Sequence, residues 1–360
     1  MTTSQPTAHS IDVASQARET GTARADDPND GPNEGTSEVD PRPDVATRDS
    51  QDVDNTSRLT AACLINHFDY ERFIADAVDS AVSQTLALDE IVVVDDGSSP
   101  AGLRGVRDAC QRHPQVRLLE KANGGQLSCF QAGLDATTAD IVFFLDADDI
   151  WQAGYVEAVM RVFEERPDID LVQCNERRVF SDGRSEVTES PSRDLGYSIA
   201  RSLVNGDTWT GQPTSCVALR RTALDKIFPL PGFERWRTCA DEALIYGSSV
   251  VGARKYFIGT PLVDYRVHGG NLFHGQEYCA KARLLRGVEV LRLVERLRRR
   301  HDLPESLAHV AHHEFRTIES PTKKEYISYR RLVKHSALPA QRRRRVAFAI
   351  WAWYRLQKRL

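Results

Sequence analysis

The stretch ADIVFFLDADDIW, residues 139–151, decides the fold. Its five apolar residues at 141–145 run straight into three carboxylates, Asp146, Asp148 and Asp149. An unbroken apolar run without polar alternation reads as a strand covered on both faces. Carboxylates crowded at its end repel one another unless a cation or a donor-rich ligand lies among them. Oxygen-only donors suit hard ions such as Mg2+ or Mn2+, usually shared with phosphates. A plainer alternative has Asp149 capping a helix that opens in WQAGYVEAV.

Working outward, LTAACLI (59–65) has the same buried-strand character. In DYERFIADAVDSAVSQTL (69–86), Phe73, Ala77, Val78 and Val82 recur at helical spacing, with Asp69 as candidate N-cap. DEIVVVDDGSS (89–99) is a second strand ending in two carboxylates and a turn. A helix at 103–110 and a short strand, VRLLE (116–120), follow. NGG (123–125) then turns the chain into a helix over 126–134. Strand and helix alternate, which predicts a wound, mostly parallel sheet with helices on both faces and right-handed crossovers. Ligands of such sheets bind at the carboxyl ends of the strands, where Asp95–Asp96 and Asp146–Asp148–Asp149 stand.

Beyond Trp151 the rhythm changes. A helix at 156–166 and strands at 170–180, 215–220 and 260–267 predict a mixed half. From 278 onward the pattern is helical, with Leu284, Val288, Leu291 and Val294 as the expected buried stripe. There is no internal repeat.

The whole chain, 360 residues, carries a net charge of only −4, but unevenly. Residues 1–57 carry a net −8 and almost no large apolar residue, so they are expected to form a disordered acidic tail. Residues 321–360 carry a net +11. The remainder is acidic, which argues against nucleic acid as a partner. The seven cysteines are scattered singly, without zinc or redox spacing, and are expected to be buried free thiols. No signal pattern opens the chain, and the longest strictly apolar run, 346–354, is too short to span a membrane. The expectation is a cytoplasmic protein, with peripheral contact at the inner membrane face through 340–360 as one reading. That end is QRRRRVAFAIWAWYRLQKRL, whose alternative role is to dock on the catalytic domain or on a dimer partner.

The segments LINHFDYERFIADAVDSAVSQTL, EIVVVDDGSS, KANGGQLSCFQAGL and ADIVFFLDADDIW together resemble the nucleotide-binding half of family 2 glycosyltransferases, which have the GT-A fold. The resemblance covers residues 59–151 and continues more loosely to 272. It implies a GT-A domain over 58–272, followed by a helical extension over 273–360. It further implies inverting transfer of a sugar from a nucleotide-sugar donor, expected to be UDP-linked, to a glycan or lipid-linked acceptor. Asn66 stands for the family's first-strand Asn, although the usual Pro-Thr-Tyr is absent. Asp95 matches the Asp that reads the base, with Asp96 in support. Asn123, Gly124 and Gly125 match a donor-side loop. Asp146 and Asp148 match the DxD motif, near the ribose and on the metal respectively. Asp241, placed by its spacing to Leu244, matches the catalytic base, with Ala240 where the family often has Glu. His268, in YRVHGGN (265–271), matches a metal-shell His, with a packing role as the alternative. TSCVALRR (214–221) resembles the acceptor-side segment, with Arg220 and Arg221 solvated as the alternative. The helix dipole is expected to lower the pKa of Asp241. Two rivals stay open: a nucleotidyltransferase, which NHFDYER disfavours for want of glycines, and a non-catalytic binding module on the same fold. A processive synthase is disfavoured by the lack of spanning helices and of Gln-x-x-Arg-Trp.

Overall fold

A computed structural model describes residues 58–205, 209–232, 235–271 and 279–358. The expected acidic tail at 1–57 and the expected boundary at 272/273 fall outside those residues.

The first half alternates as expected: β1 Ala61–His67, α1 Ile74–Val82, β2 Glu90–Asp95, α2 Pro100–Gln111, β3 Val116–Glu120, α3 Gln126–Asp135 and β4 Ile141–Asp146. These four strands lie parallel in the order β3-β2-β1-β4. Then come β5 Ile150–Trp151, α4 Tyr155–Glu165, β6 Leu171–Phe180, β7 Ser185–Val187, β8 Arg193–Gly196 and α5 Ile199–Asn205. β9 Val217–Arg220, α6 Arg221–Ile227, α7 Asp241–Val250 and β10 Lys255–Val267 complete the sheet region. The helices α8 Ala280–Arg300, α9 Ala311–Arg316, α10 Lys323–His335 and α11 Ala340–Gln357 follow. β9 runs antiparallel between β4 and β6, and the order continues β9-β6-β10-β5. The sheet is therefore mixed, as the change of rhythm after Trp151 suggested.

Strand alternation divides the apolar runs between two cores. Cys63, Ile65, Val93, Phe143 and Leu145 join one with α1, α2 and α4. Leu64, Val92, Val94, Val142 and Phe144 join the other with α3, α6, α7 and α8. A third core gathers Phe315, Tyr329, Leu332 and Val333 with Val346 and Ile350 of α11.

Three local expectations need correction. Asp69 does not cap α1, which opens at Ile74 behind Phe73. Its φ is +55°, and its carboxylate accepts from the Ser99 N–H at 2.8 Å, beside the start of α2. Asp tolerates the left-handed region, and its short side chain serves a neighbouring helix end instead. Asp149 caps no helix either: it is buried, and Gly154 holds the N-cap of α4. In α8 the buried stripe is Val290, Leu293, Val294 and Leu297, while Leu284 and Leu291 face solvent. Both stripes have helical spacing and share Val294, so only the docking surface distinguishes them.

Five cysteines are buried free thiols, but Cys239 is half-buried and Cys279 exposed. Among the described residues, no helix is long and apolar enough to cross a membrane.

Candidate active site

β1, β2 and β4 end at one edge of the sheet. Register sets Asn66 beside Asp146 and His67 beside Asp95. A cleft of about 1010 Å3 opens there. Asn66, Asp96, Asn123, Asp146, Asp148, Asp241 and Glu242 all line it.

Ligand oxygens of Asp146, Asp148 and Asp149 lie within 4.8 Å of one another. Asp149 turns to the scaffold, accepting from Ser215 Oγ at 2.6 Å and from the Arg266 N–H at 3.1 Å. Asp148 Oδ2 lies 3.1 Å from His268 Nε2 and 3.3 Å from Asn271 Nδ2. Asp146 Oδ1 accepts from Gln126 Nε2 at 2.8 Å. Burial, and then the charge of Asp148, pushes the Asp146 carboxyl up to about 7. The same two causes hold Asp149 well above the ordinary range. Carboxyls pushed towards the neutral form by burial and by one another are what a bound cation would relieve. Asn66 lies against Asp146, and its buried Oδ1 has no hydrogen-bond partner among the described residues. An orphaned oxygen beside two cleft-facing carboxylates and an imidazole fits a hard divalent ion.

Asp95, expected to read the base, is not among the residues that line the cleft. Its Oδ2 accepts from the Gly97 and Ser98 N–H groups, both at 3.1 Å. Its Oδ1 accepts from Ser98 Oγ and lies 2.8 Å from His67 Nδ1. His67 Nε2 accepts from the Tyr70 N–H at 3.2 Å, so Nδ1 carries the proton and donates to Asp95. Burial works against the charged Asp95, but Ser98 and His67 hold its pKa below the ordinary value. A carboxylate with four donors is committed to shaping its turn.

Asp96 reaches the next loop. It accepts from the Gly124 and Gly125 N–H groups at 2.8 and 2.7 Å and from Lys121 Nζ. Asn123 Nδ2 donates to the Asp96 carbonyl at 2.8 Å. Gly125 has φ +88°, and a Cβ there would fall 2.4 Å from Arg237 Cα. Only glycine admits both that backbone and that approach.

Asp241 is the first residue of α7, and its Oδ1 accepts from the Glu242 N–H at 3.0 Å. It has no ion pair among the described residues, whereas Glu242 lies 2.7 Å from Arg286 Nε of α8. The Arg286 guanidinium also covers the Trp236 ring at 4.1 Å. Burial, and then Glu242, pushes Asp241 up to about 7, against the pull of Arg286. The expected lowering by the helix dipole is overturned, because desolvation outweighs it.

Gln126 ties the two walls together. While its Nε2 holds Asp146, its Oε1 accepts from the Ala240 N–H at 2.9 Å. The segment 265–271 closes the cleft. His268 stacks on Phe73 with centroids 4.4 Å apart, and Tyr70 donates to the Gly270 carbonyl at 3.0 Å. Arg266 covers the other part of that aromatic shelf at 4.8 Å and pairs with Asp76 at 2.7 Å.

Arg220 and Arg221 are neither solvated nor at the cleft. Arg220 donates to the Ile169 and Phe163 carbonyls, and Arg221 to those of Leu134 and Thr137. They brace the far end of β9. Sequence reading missed His67, Gln126, Ser215 and Arg266. Of these, only Gln126 carried a signal: a polar side chain immediately after NGG, at the start of a buried helix.

Residues 63–228 match the Glycosyl transferase family 2 model. A Nostoc protein named an uncharacterized glycosyltransferase is 33% identical over 59% of this chain and 66% of its own length. An Escherichia coli protein is 28% identical over 42% of this chain and 57% of its own. It is named a UDP-Gal:alpha-D-GlcNAc-diphosphoundecaprenol beta-1,3-galactosyltransferase. The chain thus spans less than two thirds of these relatives. A crystal structure of S. aureus TarS 1-349 in complex with UDP-GlcNAc superposes with a TM-score of 0.54. It is 15% identical over 83% of this chain and 91% of that one, a likeness of fold alone. Sequence match and fold agree that residues 63–228 form a glycosyl transferase family 2 domain.

Proposed function

We propose that the chain transfers a sugar from a UDP-linked donor to a hydroxyl of a glycan or lipid-linked acceptor, with inversion. One observation carries this reading: Asp146 and Asp148 share a single cleft with Asp241, on walls tied by Gln126. The cleft volume, about 1010 Å3, suits a donor and an acceptor together. The UDP-GlcNAc complex of TarS and the diphosphoundecaprenol acceptor in the E. coli relative's name support the choice of substrates.

Asp148 and His268, with Asp146 beside them, would hold Mn2+ or Mg2+. An ion held there would supply positive charge for the leaving diphosphate. Asn66, Asp96 and Asn123 line the donor wall, Gly124 supports it through its N–H to Asp96, and Asp95 acts on it through the turn it shapes. Asp241 accepts the proton of the attacking hydroxyl. A carboxyl titrating near 7 is a stronger base than an ordinary one and is still ionised above that pH. Inversion requires that the hydroxyl deprotonated by Asp241 attack the anomeric carbon opposite the leaving diphosphate.

Calorimetric titration with UDP, with and without Mn2+, tests the donor half. Metal-dependent binding that Asp148→Ala weakens is expected, and equal affinity in all four combinations would overturn it. Asp241→Asn should bind UDP as the wild type does and lose transfer by about 10²–10⁴-fold. Undiminished turnover would remove Asp241 from the role.

A further inference from the structure

Helix α11 has two faces. Val346 and Ile350 are buried in the third core, and Tyr354 stacks on Tyr326 of α10 at 4.4 Å. The opposite stripe is Arg344, Phe348, Trp351 and Arg355, at helical spacing, with Arg345 and Leu356 on its flank. Phe348 is 64% exposed, Trp351 43% and Leu356 50%. The Phe348 and Trp351 rings lie 5.6 Å apart, so they form one apolar patch. Arg344, Arg345 and Arg355 are exposed and make no ion pair among the described residues. The helix holds no acidic residue. Glu325 is the one acid in residues 321–360, and it is spent on Arg193 at 2.8 Å.

We infer that this outward face of α11 seats the protein on an anionic lipid surface. Exposed aromatics between cations at both ends match the layers of a bilayer interface. Indole and phenyl rings enter the boundary region, and guanidinium groups meet lipid phosphates. An acidic protein would also meet these cations, but the exposed Phe348 and Trp351 rings set among them favour a lipid boundary. The inner face is already packed, so the helix needs no folding on contact and binding is not weakened by ordering. The tail docks by its inner face in the third core, not on the catalytic sheet, and that leaves the outer face for the membrane reading. The inference does not rest on the catalytic proposal.

The test is flotation of the full chain with vesicles of phosphatidylcholine, alone or mixed with phosphatidylglycerol. No nucleotide or sugar is present, so failure of the catalytic reading cannot affect it. Binding to the mixed vesicles at low salt, lost at high salt, is expected. Phe348→Ser with Trp351→Ser should lower the partition by roughly tenfold or more. Arg344→Gln, Arg345→Gln and Arg355→Gln together should erase the preference for the anionic vesicles. All five side chains are exposed, and thermal melting checks that the variants fold. No binding to mixed vesicles, or equal partition of the aromatic variant, overturns the inference. So does binding to heparin that matches the vesicle affinity and ignores the aromatic changes, since that marks a general polyanion site.

Discussion

Asp146 and Asp241 are carboxyls held near 7 by their surroundings, and both should show it in pH dependence. The ionised form of Asp241 is gained as pH rises through about 7, so kcat/KM should climb over that range. Glu242→Gln removes a charge that raises Asp241 and should move the limb to lower pH. Arg286→Met removes one that lowers it and should move the limb up. A limb unmoved by either change would detach it from Asp241. Asp146 bears on stability. Its folded pKa is raised above the unfolded value, so the native state binds more protons between about 4 and 7, and stability falls as pH rises through that window. Asp146→Asn should therefore raise the metal-free Tm at pH 8, by about 2–4 °C per kcal/mol relieved. The gain should vanish at pH 4 or below, and equal gains at both pH values would refute the cause given. Little of this was legible in the sequence. Asp146 could be singled out by its cluster and Asp241 by the family resemblance, but their pKa values depend on burial, which neither reports. The bond that His67 makes to Asp95 was equally silent in sequence.

The elements were more legible where the pattern repeats. β1, β2 and β4 read as buried strands because both faces are covered, and their continuous apolar runs say so. α8 misled because two apolar stripes of equal spacing coexist and only its contact with α7 chooses between them. The N-terminus of α3 carries more than its length suggests, since Gly125 and Gln126 connect it to the loop ahead of Asp241. Gly125→Ala should unseat Arg237 and lower both stability and transfer. Gln126→Glu keeps the acceptor for Ala240 but sets a carboxylate against Asp146. It should therefore weaken UDP binding without added metal more than with it, whereas Gln126→Leu should chiefly lower kcat. Titration calorimetry and steady-state kinetics separate these outcomes, and identical profiles for the two variants would reject the tether.

In the whole molecule, the catalytic sheet and the C-terminal helices answer to different cores. Ile350→Ala opens a cavity in the third core and should cost about 2–5 kcal/mol in urea unfolding. Phe348→Ser, two positions away on the outer face, should stay within about 0.5 kcal/mol. Comparable losses would mean that α11 is docked by the other face. Sequence reading could not divide those faces, because an 18-residue helix with aromatics all round has no single apolar side.

β9 runs against β4, so the chain enters it from the cleft, through Thr214 and Ser215, and leaves at the braced far end. Residues inserted ahead of Thr214 would lengthen a wall of the cleft while the register of β4, and with it Asp146, stayed fixed. Descendants of this chain could thus change what they accept by editing one loop and keep their donor chemistry intact. On the function proposed above, the reversal of a single strand would let the two halves of the reaction evolve separately.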